Sequence, residues 1–142
     1  MVYVLEAFVE DYLHVLANVN LIKIFRNVFP KESFVFISAK KHNDQVKVYF
    51  EETENEVAFQ SFANLVTSDN FFARLYRVPF RFFRDIRLID SVLKKCKPGD
   101  TVVITHVHFV SLVLLKLIKK KYPEVSLFSV IHGDVELSLI HI

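Results

Sequence analysis

The chain has 142 residues, 52% of them hydrophobic and 24% charged, with a formal net charge of +2. That length holds one domain with a substantial core, and the near-balanced charge excludes a general nucleic-acid footprint, so no nucleic-acid partner is expected. The single cysteine, Cys96, excludes an internal disulfide framework and a cysteine-based zinc site, and it fits a reducing compartment.

No apolar run approaches the ~18 residues of a membrane span. The N-terminus lacks a basic region followed by an apolar one, so no signal peptide is expected. Only two glycines occur, Gly99 and Gly133, so neither a GxGxxG nor a Walker A loop can form within this chain.

Residues 2–8 read as a first strand. Glu10 and Asp11 place negative charge at the start of a helix, whose apolar face is expected from Leu13, Leu16, Ala17, Leu21, Ile24 and Val28. Pro30 ends it. Residues 33–38, SFVFIS, read as a buried second strand. The polar run at 40–44, KKHND, reads as a turn, and the alternating VKVYF at 46–50 as a third strand nearer an edge. The glutamate-rich run at 51–56 reads as a solvated loop. Residues 57–66 fit either a strand or a short helix. Ser68 and Asp69 can cap a helix that starts near Asn70.

Residues 71–87, FFARLYRVPFRFFRDIR, repeat arginine every three or four positions, at Arg74, Arg77, Arg81, Arg84 and Arg87. On a helix the arginines share one side and Phe72, Leu75, Phe82, Phe83 and Ile86 lie largely on the other. Pro79 predicts two segments or a kink. One reading is a solvated basic face over an aromatic core contact. The other is a surface in which Arg74, Arg77, Arg81 and Arg84 meet phosphate or an anionic membrane. A helix over 85–96 follows, with Ile86, Ile89, Val92 and Leu93 on one side. The turn Lys97-Pro98-Gly99-Asp100 ends it. Cys96, just before that turn, reads as a small buried hydrophobe.

The stretch 101–136 organises the rest. Residues 101–105, TVVIT, form an unbroken β-rich run, followed by the polar tip His106-Val107-His108. Residues 109–121 carry helical apolar spacing, with lysines gathered at the end that suits the helix dipole. After Pro123 a second β-rich run, 125–131, ends in His132-Gly133-Asp134. Strand, helix and strand with short connections imply parallel strands and a right-handed crossover. Both histidine tips then lie at the carboxyl edge of the sheet, where ligands bind in open α/β folds. The fold class expected is a Rossmann-like, doubly wound parallel α/β sheet in a single domain.

The segment Lys97-Pro-Gly-Asp-Thr-Val-Val-Ile-Thr-His-Val-His, then a helix, then a strand ending Val-Ile-His-Gly, resembles the amino-terminal half of GT-B glycosyltransferases of the retaining, family-four type. The likeness is sharpest over 97–136. It implies two Rossmann-like halves, the first holding a sugar or lipid-linked acceptor and the second holding a nucleotide-sugar donor. By that resemblance His132 matches the cleft histidine near the reacting sugar, and His106 and His108 match the strand-end pair beside it. A cytoplasmic location, peripheral at the inner face of the membrane, is implied. The family's glycine-rich loop after the first strand is replaced here by Glu6-Ala7-Phe8-Val9-Glu10. The donor-binding half is not contained in this chain, which alone is therefore expected to be inactive. Residues 1–136 are expected to be the amino-terminal domain. The last six residues, LSLIHI, resemble the translation of a transposase end used to prepare sequencing libraries, and a non-native tail is expected at 137–142. The alternative is a short terminal strand, disfavoured because little room is left for a turn.

His132 is the candidate catalytic residue, because Gly133 beside it lets backbone approach a ligand. Its bland alternative is a strand-end histidine bonded to nearby backbone. His106 and His108 share strand parity, and without a third ligand at recognisable spacing no metal is expected. No cofactor is expected either. Asp134 and Glu136 could orient a substrate hydroxyl, although loop acids are commonly only solvated. Glu6 ends the first strand at the same cleft. His14 reads as surface or packing. The reading that competes with the transferase is a non-catalytic, flavodoxin-like α/β binding domain.

Overall fold

In the computed structural model the β-branched and aromatic runs pair into one sheet. The structure describes the backbone of residues 1–7, 14–50, 57–63, 71–107, 109–132 and 137–141, and the side chains of these except 71–78, 81, 109–111, 131–132 and 137–141. The strands are β1 (Val2–Glu6), β2 (Phe34–Ala39), β3 (Val57–Phe62), β4 (Thr101–Ile104), β5 (Ser126–His132) and β6 (Leu137–His141). The helices are α1 (Val15–Val28), α2 (Lys40–Val48), α3 (Phe71–Leu93) and α4 (Phe109–Lys119).

The sheet order is β3-β2-β1-β4-β5-β6. β1 to β5 are all parallel and β6 runs antiparallel to β5. This is the doubly wound Rossmann-like order, and its direction reverses between β1 and β4. Alternate strand residues feed two cores. Leu5, Ile37, Val102, Ile104 and Leu127 meet Ile89, Val92 and Leu93 of α3 and Leu115 and Ile118 of α4. Val4, Phe36, Val103 and Val130 meet Val19, Ile22 and Phe25 of α1 and Val46 of α2. Strands covered on both faces explain the unbroken apolar runs. β4 and β5 are both interior, and their parallel register puts their carboxyl ends at one edge, as the βαβ pattern predicts.

Several sequence expectations change. Residues 40–44 are not a turn and 46–50 are not a strand, because α2 covers Lys40–Val48. Of VKVYF, Val46 and Phe50 are buried while Val48 and Tyr49 are exposed, a helical spacing rather than an alternation. The inward polar residue Asn43 is satisfied by donating to Gln60 O at 2.6 Å and Ser61 Oγ at 2.9 Å. The third strand is instead β3, on the edge beside β2. α1 buries Asn18, Val19, Leu21, Ile22 and Phe25. Leu16, Ile24 and Val28, expected inside, are exposed.

The 71–87 stretch and the helix after it are one helix, α3, running through Pro79. Its inner face is the expected one at Ile89, Val92 and Leu93. Residues 137–141 form β6 and pair with β5 from His132↔Leu137 to Phe128↔His141, as their β-like composition allows. The loop read at 51–56 and the cap at Ser68 and Asp69 lie outside the described residues.

The turn into β4 is built around Asp100. Gly99 has φ 86°, a left-handed conformation that suits glycine. Asp100 accepts from the Lys97 backbone N–H at 2.8 Å and from the Met1 ammonium at 3.0 Å. Burial pushes the Asp100 carboxyl up, but these donors outweigh it and hold its pKa below the ordinary value. A depressed carboxylate contributes stability that is complete above the unfolded pKa, near 3.9, and is lost as pH falls through the lower folded pKa. Asp100→Asn is expected to lower stability by about 1–3 kcal/mol at neutral pH. Urea unfolding at neutral pH and below about pH 4 checks this, because the gap to the parent should narrow in acid.

Candidate functional site

At the carboxyl edge, where the strand order reverses between β1 and β4, polar side chains from four elements meet. Glu6 ends β1 and is fully buried. Thr105, just past β4, donates its Oγ1 hydrogen to Glu6 Oε2 at 2.7 Å. Its backbone N–H continues the sheet pairing to Leu5 O at 3.0 Å. Asn18, on the inward face of α1, donates from Nδ2 to the same Glu6 oxygen at 3.2 Å. That Nδ2 also lies 2.8 Å from His42 Nε2, in the first turn of α2. Asn18, His42 and Thr105 are all fully buried.

The chemistry assigns the donors. A carboxylate only accepts, so the Asn18 amide turns its nitrogen toward Glu6. The same nitrogen can only donate to His42, so Nε2 is the acceptor and a neutral His42 carries its proton on Nδ1. The result is a dry chain of carboxylate, amide and imidazole that locks the ends of β1 and β4 to the starts of α1 and α2. It touches no solvent itself. Its chemical effect is to fix what projects from those ends.

His106 projects from one of them. It is half-buried, and its ring meets the His14 ring edge-on, with centroids 5.1 Å apart and planes at 72°. His14 stands just before α1 at φ 64°, an uncommon conformation for a residue with a side chain. The two imidazoles pack edge-on beside the β1–β4 reversal point, so the packing reading of His14 describes it. Imidazole pairs at strand ends can accept from or donate to substrate hydroxyls. Among the described residues no three His, Cys, Asp or Glu side chains converge as a metal site would require.

Of the residues singled out in the sequence, Glu6 at the end of β1 and His106 just after β4 both lie at this edge. His132 ends β5 at the same edge, its backbone paired with Leu137, and its side chain is not among those described. His108, Gly133, Asp134 and Glu136 lie outside the described residues, as do the side chains of Arg74, Arg77 and Arg81.

Arg84 corrects the expectation of an outward, unpaired arginine. It donates through Nε and Nη2 to Asp85 Oδ1 at 2.9 and 2.7 Å. Its Nη2 reaches Ala7 O at 3.4 Å, and its guanidinium lies 5.4 Å from the centroid of the Phe62 ring. Asp85 is buried, and this demand turns Arg84 inward. Cys96 donates to Val92 O at 3.3 Å. Burial, reinforced by the Asp100 charge, pushes its thiol up to about 11, so it is protonated and unreactive at neutral pH.

Sequence reasoning missed Asn18, His42 and Thr105. One signal was present, since Asn18 lies one helical turn from Leu21 and Ile22, on the inward face of α1. A cleft of about 570 Å³ also opens at the opposite edge of the sheet, lined by Lys23, Arg26, Glu32, Phe34 and Ala58. The strand amino ends there offer no reversal point, so the carboxyl-edge cluster is the stronger site.

Asn18→Ala removes the bridge and leaves His42 Nε2 without its donor. The expected cost is about 1–3 kcal/mol, read as a lowered urea midpoint at unchanged slope. No protein-family model matches the chain and no curated protein is significantly similar to it, so its function is argued from these residues.

Proposed function

We propose that the chain is the acceptor-side half of a GT-B glycosyltransferase that moves a sugar from a nucleotide-sugar donor to a glycan or lipid-linked acceptor. The observation that carries the reading is the arrival of His106 after β4 and His132 at the end of β5 at one carboxyl edge. The point where the strand order reverses, between β1 and β4, lies beside them. The segment that resembles the family is the one that forms these two strands.

In this reading the acceptor sits over that reversal point. An acceptor hydroxyl oxygen forms the new bond to the sugar's anomeric carbon. The bond from that carbon to the donor phosphate breaks, and the hydroxyl proton leaves with the departing side. His132 and His106 hold the acceptor and reacting sugar through their ring nitrogens. The buried Glu6–Asn18–His42 chain keeps the β4 end, and so His106, in place. The second half supplies the groups that stabilise the departing phosphate. The reading assigns the protein to the cytoplasm, at the inner face of the membrane where the acceptor is lipid-linked.

A non-catalytic binding domain is the second reading. It is favoured by one observation: Glu6 and His42 are fully buried and engaged through Asn18. Its flavodoxin-like form expects the order 2-1-3-4-5, whereas the order here is β3-β2-β1-β4-β5-β6.

The test is sugar transfer from a panel of nucleotide sugars by the full-length gene product and its His132→Ala variant. The variant is expected to turn over on the order of ten- to a thousandfold more slowly while staying folded. Undiminished turnover removes His132 from the site. Saturable sugar binding without transfer favours the binding domain. Turnover by the 142-residue chain alone overturns the two-halves reading.

A further inference from the structure

The cleft at the amino edge of the sheet has no part in either reading of the carboxyl edge. Its volume of about 570 Å³ falls in the range of small-molecule sites. Lys23, Arg26 and Asn27 in the last turns of α1 form one wall, and the turn after the helix completes it with the first residues of β2 and β3. Phe34, where β2 begins, is 3% exposed and closes the bottom. The turn is held in shape. Phe29 N–H donates to Phe25 O at 2.8 Å, and Glu32 N–H donates to Phe29 O at 3.1 Å. Ser33 O accepts from Val2 N–H at 2.9 Å, which ties the turn to β1. The Phe29 ring lies parallel to the buried Phe25 ring, with centroids 6.2 Å apart and planes at 3°. The apolar part of the cleft is therefore preformed, and a ligand there does not have to order it.

The polar part is a set of donors. Lys23 is exposed and forms no ion pair among the described residues. Asn27 and Ser33 bring amide and hydroxyl hydrogens to the same cleft. The one acid of the lining, Glu32, is paired with the Met1 ammonium at 2.5 Å. The carboxyl end of α1 adds a partial negative charge of roughly half a unit. The full charge of Lys23 exceeds it, so the balance of the wall favours an anion.

We propose that this cleft binds a small aryl phosphate monoester, with the phosphate against the α1 wall and the ring against Phe29 and Phe34. The three terminal oxygens of a phosphate match donors on Lys23, Asn27 and Ser33, whereas a carboxylate offers only two oxygens. A flat ring suits walls made by aromatic side chains. Ala58 of β3, paired with Val35, lines the cleft with no more than a methyl group and leaves room for that ring. The site lies at the opposite end of the strands from His106, so its ligand is not the acceptor of the proposed transfer. The proposal stands independently of the transferase reading.

The experiment is an amide NMR titration of the chain with phenyl phosphate, and in parallel with inorganic phosphate, phenol and benzoate. Saturable shifts are expected at residues 23–34 and at Ala58. Phenyl phosphate should bind about tenfold or more tightly than each of the other three, because only it uses both the donors and the apolar wall. Lys23→Glu, which reverses the charge of the wall, should weaken binding about tenfold or more. Ala58→Leu, which fills the space for the ring, should weaken it by a similar factor. Both side chains are exposed, so the rest of the amide spectrum and the urea midpoint should be unchanged. No saturable shift, shifts confined to the carboxyl edge, equal affinity for inorganic phosphate or benzoate, or undiminished binding by either variant overturns the proposal.

Discussion

A carboxylate removed from water must be given hydrogen-bond donors, and in this chain Glu6 is fully buried at the end of the central strand. Thr105 from the β4 end supplies one donor and Asn18 from α1 supplies another. To reach it, α1 has to turn Asn18 inward, and Val19, Ile22 and Phe25 follow onto the sheet. Leu16 and Ile24, roughly 160° and 120° around the helix from Asn18, are carried outward. α2 begins directly after β2, which places His42 in its first turn and 2.8 Å from the same amide. One buried acid thus sets the rotation of one helix and the starting point of another. It also fixes the meeting of β1 and β4 at the place where the strand order reverses.

That dependence explains which parts of the fold were legible in the sequence. β4, α4 and β5 were, because each carries a strong local period and lies between proline or glycine punctuation. Their parallel pairing follows from the short connections. α2 was not legible, because its inward positions are polar. His42 and Asn43 read as turn residues until α1 and β3 are present to bond them. β3 was ambiguous because an edge strand buries little, and only Val57 of it is fully inside. β6 pairs antiparallel to β5, with four residues, 133–136, between the paired His132 and Leu137.

The site divides the same way. Glu6 and His106 were visible as polar residues at the ends of apolar runs, a signal that strand topology turns into a location. Asn18, His42 and Thr105 were invisible, because nothing local distinguishes a polar residue that will be buried from one that will be solvated. Their joining is a property of three crossovers ending at one edge. The division has a functional consequence. The dry chain of Glu6, Asn18 and His42 is rigid and inaccessible, whereas His14 and His106 are half-buried and can meet a ligand. In the proposed reading, recognition falls to the histidine pair and positioning to the buried chain.

The same electrostatic demand decides α3. Arginine recurs there every three or four residues, with Phe72, Leu75, Phe82, Phe83 and Ile86 largely on the other side, so the pattern defines two stripes without saying which faces the protein. Hydrophobicity alone would turn the phenylalanines in. Asp85 settles it, because it falls on the face that carries Ile89 and Val92 and is buried with them. A buried carboxylate without a cation would be costly, and its neighbour Arg84 supplies one at 2.7 Å. Arg84 then packs over the Phe62 ring and against the β1 end. With the inner face claimed by Asp85, Ile89 and Val92, Phe80 and Phe83 are left on the outer one. Two buried acids, Glu6 beneath α1 and Asp85 beneath α3, therefore override the apolar pattern on the two faces of the sheet. In both helices the cost of burying a polar group without its hydrogen-bond partner outweighs the gain from hiding one more apolar side chain.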